Sequence, residues 1–281
     1  MTQKDWDEVA KSFPSLVYKY RDWNNPFHQT IITKMQVYMS RPTDFEDKVD
    51  CKNHIRYDLL TDDQIKQRYY ELSFEKHPEP GFSHDDRIAF ANYWFVRSPL
   101  RDKEHIKKQL EKDFLEYDDR AGILSLTTNP KRVEMWVKYA ADHTGFCVAF
   151  YPPEMFKYLG GGANVTYDKK LPDIMPVPWH NEMEQHILQV YHKEEKWAFE
   201  EEYRAQTFDY HPLPQERRVR TLTPESYAEL IFGAKMSDKN RDEIIEASKA
   251  IVPKVAFKRA GLEAVGSITI HDHVDSLPSP A

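Results

Sequence analysis

The stretch that most limits how this chain can fold is Lys196-Trp197-Ala198-Phe199-Glu200-Glu201-Glu202-Tyr203-Arg204. It follows a helical pattern and opens a run, Tyr203 to Tyr210, rich in aromatic and β-prone residues. Read as a strand over 199–208, its side chains alternate between faces with a period of two. Glu200, Glu202 and Arg204 then share one face, and Phe199, Glu201 and Tyr203 the other. Such a charged face makes a costly core and a usable polar cleft. The same residues also fit a structural role, with Glu200 and Arg204 pairing across a helix-to-strand junction.

A chain of 281 residues accommodates one large domain or two small ones. No long linker or internal repeat marks a boundary, so the expectation is a single α+β domain over 1–281 with a helical insertion at about 61–119. Hydrophobic residues at 40% and aromatics at 13% supply a sizeable core and exclude general disorder. A net charge of −7 disfavours a broad nucleic-acid-coating surface. Cys51 and Cys147 stand outside any CxxC pair, so neither a zinc site nor a disulfide framework follows from them. The acidic N-terminus lacks the apolar core of a secretion signal, and no apolar run reaches membrane-spanning length. The chain reads as soluble and cytoplasmic, with no membrane partner.

Taken in order, residues 3–12 read as a short helix and Leu16–Arg21 as a strand. A helix at 26–34, a strand at Gln36–Ser40 and an acidic loop at Asp44–Asp50 follow. Helical patterns cover 62–76 after an N-capping Thr61, then 84–96 and 102–117. Gly122–Thr127 reads as a strand, and Asn129-Pro130 opens a helix carrying Val133, Trp136, Val137 and Ala140 at helical spacing. Phe146–Phe150 is an apolar run suited to a buried strand. Gly160-Gly161-Gly162 is a turn, Asn164–Asp168 a strand and 181–196 a helix that delivers the opening stretch. Arg217-Arg218-Val219-Arg220 reads as a solvated basic loop, 237–251 as a helix, and the closing residues through Ala281 as a frayed end.

Three polar clusters thus sit on predicted strands: Arg21, then Ser125 with Thr127, then Glu200 with Glu202. This order is similar to the arginine, serine, glutamate pattern of the ADP-ribosyltransferase superfamily. The resemblance implies a small, split, mostly antiparallel sheet with helices, and NAD as the substrate. It assigns Arg21 to the NAD diphosphate, and Ser125 and Thr127 to the nicotinamide site. Glu202 would stabilise the ribosyl cation and Glu200 would position the acceptor. Breaking an N-glycosidic bond builds positive charge on the sugar, which a facing carboxylate stabilises. An arginine fork suits a diphosphate. Tyr18, Tyr20 or Tyr139 could stack on the nicotinamide ring, and Arg204 joins the candidate binding residues. The acceptor, whether protein, nucleic acid or water, stays open, as does a regulatory protein partner.

A second resemblance covers nearly the whole chain. Val17-Tyr18-Lys19-Tyr20-Arg21, Ile123-Leu124-Ser125-Leu126, Met135-Trp136-x-x-Tyr139-Ala140, His143-x-Gly145-Phe146-Cys147 and Trp197-x-x-Glu200-x-Glu202-Tyr203-Arg204 resemble the DUF2971 family of bacterial proteins. Where that family carries Asn-Asp-Pro after the second strand, this chain has Glu46-Asp47-Lys48. The resemblance implies an accessory gene of a mobile or antiviral defence island, and so a toxin-like effector.

Two other classes compete. Asp168 with Glu194-x-Lys196 imitates the acidic pair and lysine of a magnesium-dependent nuclease, although 194–196 reads as helix and that chemistry needs a strand edge. A non-catalytic binding protein could present 61–119 to a partner. His143 reads as a helix cap, Met135, Trp136 and Tyr139 as core-facing helix residues rather than ligand contacts, and His271 with His273 as a weak metal motif. Trp197 and Tyr203 are expected to brace Glu202 from the opposite face.

Overall fold

A computed structural model of the chain describes residues 3–264 and 266–273. Among these, the strands are β1 (Val17–Arg21), β2 (Gln36–Tyr38), β3 (Ala121–Thr127), β4 (Phe146–Phe150), β5 (Gly162–Asn164) and β6 (Thr166–Asp168), followed by β7 (His192–Glu194), β8 (Glu202–Phe208), β9 (Val219–Thr221), β10 (Tyr227–Phe232), β11 (Ala256–Leu262) and β12 (Ile268–Asp272). Eight of them form one sheet in the order β12-β11-β10-β4-β1-β3-β8-β5, antiparallel at each junction except β10–β11. The fold is α+β. β2 pairs with β9, and β6 with β7, as separate two-stranded ribbons.

The apolar run at 146–150 becomes the centre of this sheet because both its faces can be buried. Phe146, Val148 and Phe150 enter the main core, where Ile31 and Ile32 of helix Pro26–Thr33 and Ile244 of helix Asp238–Lys249 cover them. Cys147 faces the other way, into a second core with Trp136 and Met135 of helix Val133–Tyr139. Of the residues at helical spacing, Trp136 and Ala140 are buried in that core and Val133 half-buried against it, whereas Val137 is exposed. The turn from that helix into β4 runs through Ala141, Asp142 and His143, all at positive φ, and reaches Gly145. A Cβ on Gly145 would lie 2.3 Å from the Arg21 carbonyl oxygen, so only glycine lets this turn press against β1. His143 is buried and stacked on Trp136.

The sheet is larger than the small split sheet expected, and it is pinched rather than divided. β1 pairs with β4 along all of Val17–Arg21, but meets β3 at the single register pair Tyr18–Thr127. Farther along β3, Ser40 takes over as partner of Ile123. A continued ladder would set Lys19 opposite Leu126 and Arg21 opposite Leu124, but the pairing stops at Tyr18. The strands part there, and the gap becomes a cleft.

Several boundaries move. The helix expected at 181–196 ends at Val190, because His192–Glu194 pairs in parallel with β6 and Glu195–Glu200 winds into a 3-10 turn. The strand expected from 199 begins at Glu202. Arg218 is buried rather than solvated, donating to the carbonyl oxygens of Met39, Asp118, Asp119 and Ala121. In the insertion, helices Asp62–Lys76 and His84–Val96 form a hairpin closed over Ile65, Ala91 and Phe95, and Lys103–Arg120 runs directly into β3. The closing residues 274–281 lie outside the described part. No described helix is long and apolar enough to cross a membrane.

Candidate functional site

The gap between β1 and β3 opens into a cavity of about 800 Å³. Tyr20 and Arg21 from β1, Ser125 and Thr127 from β3, Tyr139 from helix Val133–Tyr139, and Glu200 and Glu202 all line it. Residues spread along the chain from Tyr20 to Glu202 thus converge on one space.

Glu200 and Glu202 reach the same side by a different route from strand alternation. Glu200 closes the 3-10 turn, Glu202 starts β8, and Glu201 between them takes a left-handed conformation with φ of 42°. That reversal turns Glu201 outward, onto Arg132 at 2.5 Å and the Asn129 amide at 3.2 Å. A left-handed non-glycine residue costs roughly 1 kcal/mol, offset here by these contacts.

Beneath the cavity lies a buried charge cluster. Arg204 holds Asp50 by two hydrogen bonds at 2.9 and 2.7 Å and Glu202 by one at 2.6 Å, and it donates to the Val190 carbonyl at 2.8 Å. Lys193 sits 2.5 Å from Glu200, 3.3 Å from Glu202 and 3.2 Å from Asp50. Burial alone would push the Glu202 carboxyl up, but Arg204 and then Lys193 outweigh it and hold it below the usual range, aided by the Ser125 hydroxyl. The same two cations overcome burial to hold Asp50 down. Glu202 is therefore an anion aimed at the cavity.

The opposite wall is cationic. Lys19 and Arg21 alternate with Tyr18 and Tyr20 along β1, and all four reach the cavity. Lys19 Nζ donates to the Ser125 carbonyl at 2.5 Å, and Arg21 to the Tyr20 carbonyl at 3.2 Å. Neither has a carboxylate at ion-pair distance among the described residues. Burial, then Arg21, pulls the Lys19 ammonium down to about 7, and burial brings Arg21 to about 10. Burial, then Arg21, lowers nearby His28 to about 4, so that side chain is neutral near pH 7. The space is dipolar, with unpaired cations on one wall and carboxylates on the other.

Not every expected contact survives. Arg204 is fully buried beneath the cluster and does not line the cavity, because Asp50, Glu202 and Val190 occupy its guanidinium. It braces Glu202 and cannot bind a ligand. Thr127 has its hydroxyl bound between the Asn129 amide and the Glu201 carbonyl, so it shapes the wall only. Tyr20 is a core residue, edge-on to Trp136 with its hydroxyl 3.4 Å from the Asn129 carbonyl. Tyr139, expected in the core, is exposed at the cavity wall, its hydroxyl donating to Glu200 at 2.6 Å. Tyr203 packs into the main core against Phe156, its hydroxyl bonded to the Gly162 carbonyl, whereas Trp197 lines the cavity. Lys19, Asp50, Lys138 and Lys193 are site residues that the sequence reading missed. The Lys19-x-Arg21 alternation was a usable signal. Lys193 gave none, since its segment reads as helix.

Asp168 and Glu194 stand abreast in the β6–β7 register, a strand placement rather than the helix expected. Asp168 is bonded to His192 at 2.7 Å and Glu194 to Lys196, and none of the four lines the cavity. No group of three or more His, Cys, Asp or Glu able to hold a metal occurs among the described residues. His271 bonds Thr269 at 2.9 Å. No family model, curated protein or solved structure matches the chain.

Proposed function

We propose that the β1–β3 cleft binds NAD and that the protein transfers ADP-ribose or hydrolyses NAD. The observation that carries this reading is the dipolar cavity, in which Arg21, Ser125 and Glu202 meet from three strands. NAD has the matching polarity, a diphosphate at one place and a cationic nicotinamide ring at another. Lys19 and Arg21 suit the diphosphate, being cations without carboxylate partners. The carboxylates opposite suit the cationic end.

In this mechanism the bond between nicotinamide and the ribose anomeric carbon breaks, nicotinamide leaves with the bonding pair, and the sugar carries the positive charge. Glu202, anionic and fixed by Arg204 and Lys193, faces that charge without reorganising. A hydroxyl or amine of an acceptor, or water, then attacks and gives up its proton. Glu200 is placed to orient that nucleophile. The test is incubation with NAD labelled on the adenylate, with and without cell lysate. Label appearing as free ADP-ribose or on a macromolecule is expected. Intact NAD in both, from folded protein, sinks the reading.

A further inference from the structure

The charge cluster under the cleft is one positive charge short. Three carboxylates, Asp50, Glu200 and Glu202, meet two deeply buried cations, Lys193 and Arg204. Lys138 brings the missing charge. Its Nζ lies 3.4 Å from Glu200 Oε1, 4.0 Å from the centre of the Trp197 ring and 4.7 Å from that of Tyr139. Lys193 and Arg204 are 6% and 0% exposed, whereas Lys138 is 30% exposed, on a helix at the cavity wall. It is the removable cation of the set.

Trp197 is held as a platform for positive charge. Its indole N–H is buried with no hydrogen-bond partner, while the ammonium groups of Lys138, Lys193 and Lys196 lie 4.0, 5.2 and 5.7 Å from its ring centre. Tyr139 has its ring orientation fixed through the bond to Glu200.

We infer that Trp197, Tyr139 and Glu200 form a subsite for a flat organic cation of the N-alkylpyridinium class, and that Lys138 fills it in the free protein and swings out to admit the ligand. An ammonium over such rings is attracted by their electron-rich faces, a gain that an aromatic cation matches while adding stacking area. Exchanging one cation for another keeps the cluster neutral. A neutral ring that displaced Lys138 would leave a buried negative charge without its partner, which is strongly unfavourable. The subsite therefore selects on charge, and Lys138 sets a threshold that only a cation passes. Identifying the cation with the nicotinamide ring of NAD rests on the reading above; the subsite itself does not.

The test uses 1-methylnicotinamide as the cation and nicotinamide as its neutral counterpart, titrated calorimetrically into wild type, Lys138→Met and Trp197→Leu. The cation should bind Lys138→Met about tenfold tighter than wild type, a difference of about 1.4 kcal/mol, and should lose affinity in Trp197→Leu. Nicotinamide, which cannot pair the carboxylate, should bind both proteins much more weakly than the cation. In wild type alone, adding the cation should speed acetylation of Lys138 by acetic anhydride, followed by mass spectrometry, because the amine is moved into solvent. Equal or weaker cation binding by Lys138→Met, or slower Lys138 acetylation, overturns the inference. If Lys138→Met does not fold, the acetylation measurement decides. Cation binding without NAD cleavage would remove the NAD reading and leave the subsite. NAD cleavage with no gain in cation affinity in Lys138→Met would do the reverse.

Discussion

Arg204 is the residue whose removal the structure prices most clearly. Arg204→Met keeps the length of the stem and deletes five hydrogen bonds, three of them to carboxylates. Asp50, Glu200 and Glu202 would then face only Lys193 and Lys138, and the cluster would be left with one uncompensated negative charge. Breaking a buried ion pair from one side costs about 3–5 kcal/mol. In a chain of this size that corresponds to a fall in Tm of roughly 10 °C. Adding Asp50→Leu removes the charge that Arg204 had balanced and restores the native count of charges. The double variant should therefore recover at least about 2 kcal/mol of the loss, a coupling well above the usual error of additivity.

Acid supplies an independent check on the same pair. Asp50 and Glu202 are held below the ordinary carboxylate range, so the stability they contribute is present above their unfolded values and is lost as pH falls toward about 2, the value reached by Asp50. The deficit of Arg204→Met should accordingly shrink on acidification, since protonation relieves the excess negative charge. Urea denaturation of the two single and the double variants at neutral and acid pH measures all of this. A loss below about 1 kcal/mol for Arg204→Met, or a double variant whose loss is the sum of the singles, would refute the reasoning.

Other expectations follow from the walls of the cleft. Inorganic pyrophosphate should bind more weakly as pH rises through about 7, where Lys19 loses its proton in the free protein, by up to about tenfold per pH unit. Lys19→Met should bind it less tightly and flatten that profile; an unchanged slope would separate Lys19 from the anion. Because the folded value of Lys19 lies below the unfolded 10.5, its burial penalty is present below about 7 and is relieved as pH climbs toward 10.5, so Lys19→Met should remove a rise in stability across that window. Gly145→Ala should cost about 2–3 kcal/mol in urea denaturation, since its Cβ would meet both the Arg21 and the Ala140 carbonyl oxygens; a loss under about 0.5 kcal/mol would show that the turn yields.

Much of the fold was legible because local pattern and tertiary role agree. The five apolar residues at 146–150 name a central strand, and Thr61 and Ser83 cap the helices that follow them. The helical spacing of Val133, Trp136 and Ala140 marks a core-facing helix. The site was partly legible for the same reason: Arg21, Ser125 and Glu202 each stand on strands that adjoin in the sheet. What failed was local. Helical pattern through 181–196 gave no notice that His192–Glu194 would pair with β6, because strand pairing is decided by a partner distant in sequence. The left-handed turn at Glu201 is also invisible in a run of three glutamates, and it is what brings Glu200 beside Glu202. Arg204 was misassigned because alternation fixes the face of a strand and says nothing of depth. Asp50, arriving from an acidic loop, closes over it.

The most direct measurement is a single-turnover assay of nicotinamide release at saturating NAD by wild type and Glu202→Gln, with NAD binding measured on the same samples. The variant keeps the shape of the side chain and removes the charge that faces the sugar. The account predicts release by wild type, a loss of about a hundredfold or more in Glu202→Gln, and NAD binding retained by both. A folded wild type that binds NAD and releases nothing, or a variant that releases nicotinamide as fast as wild type, would contradict it.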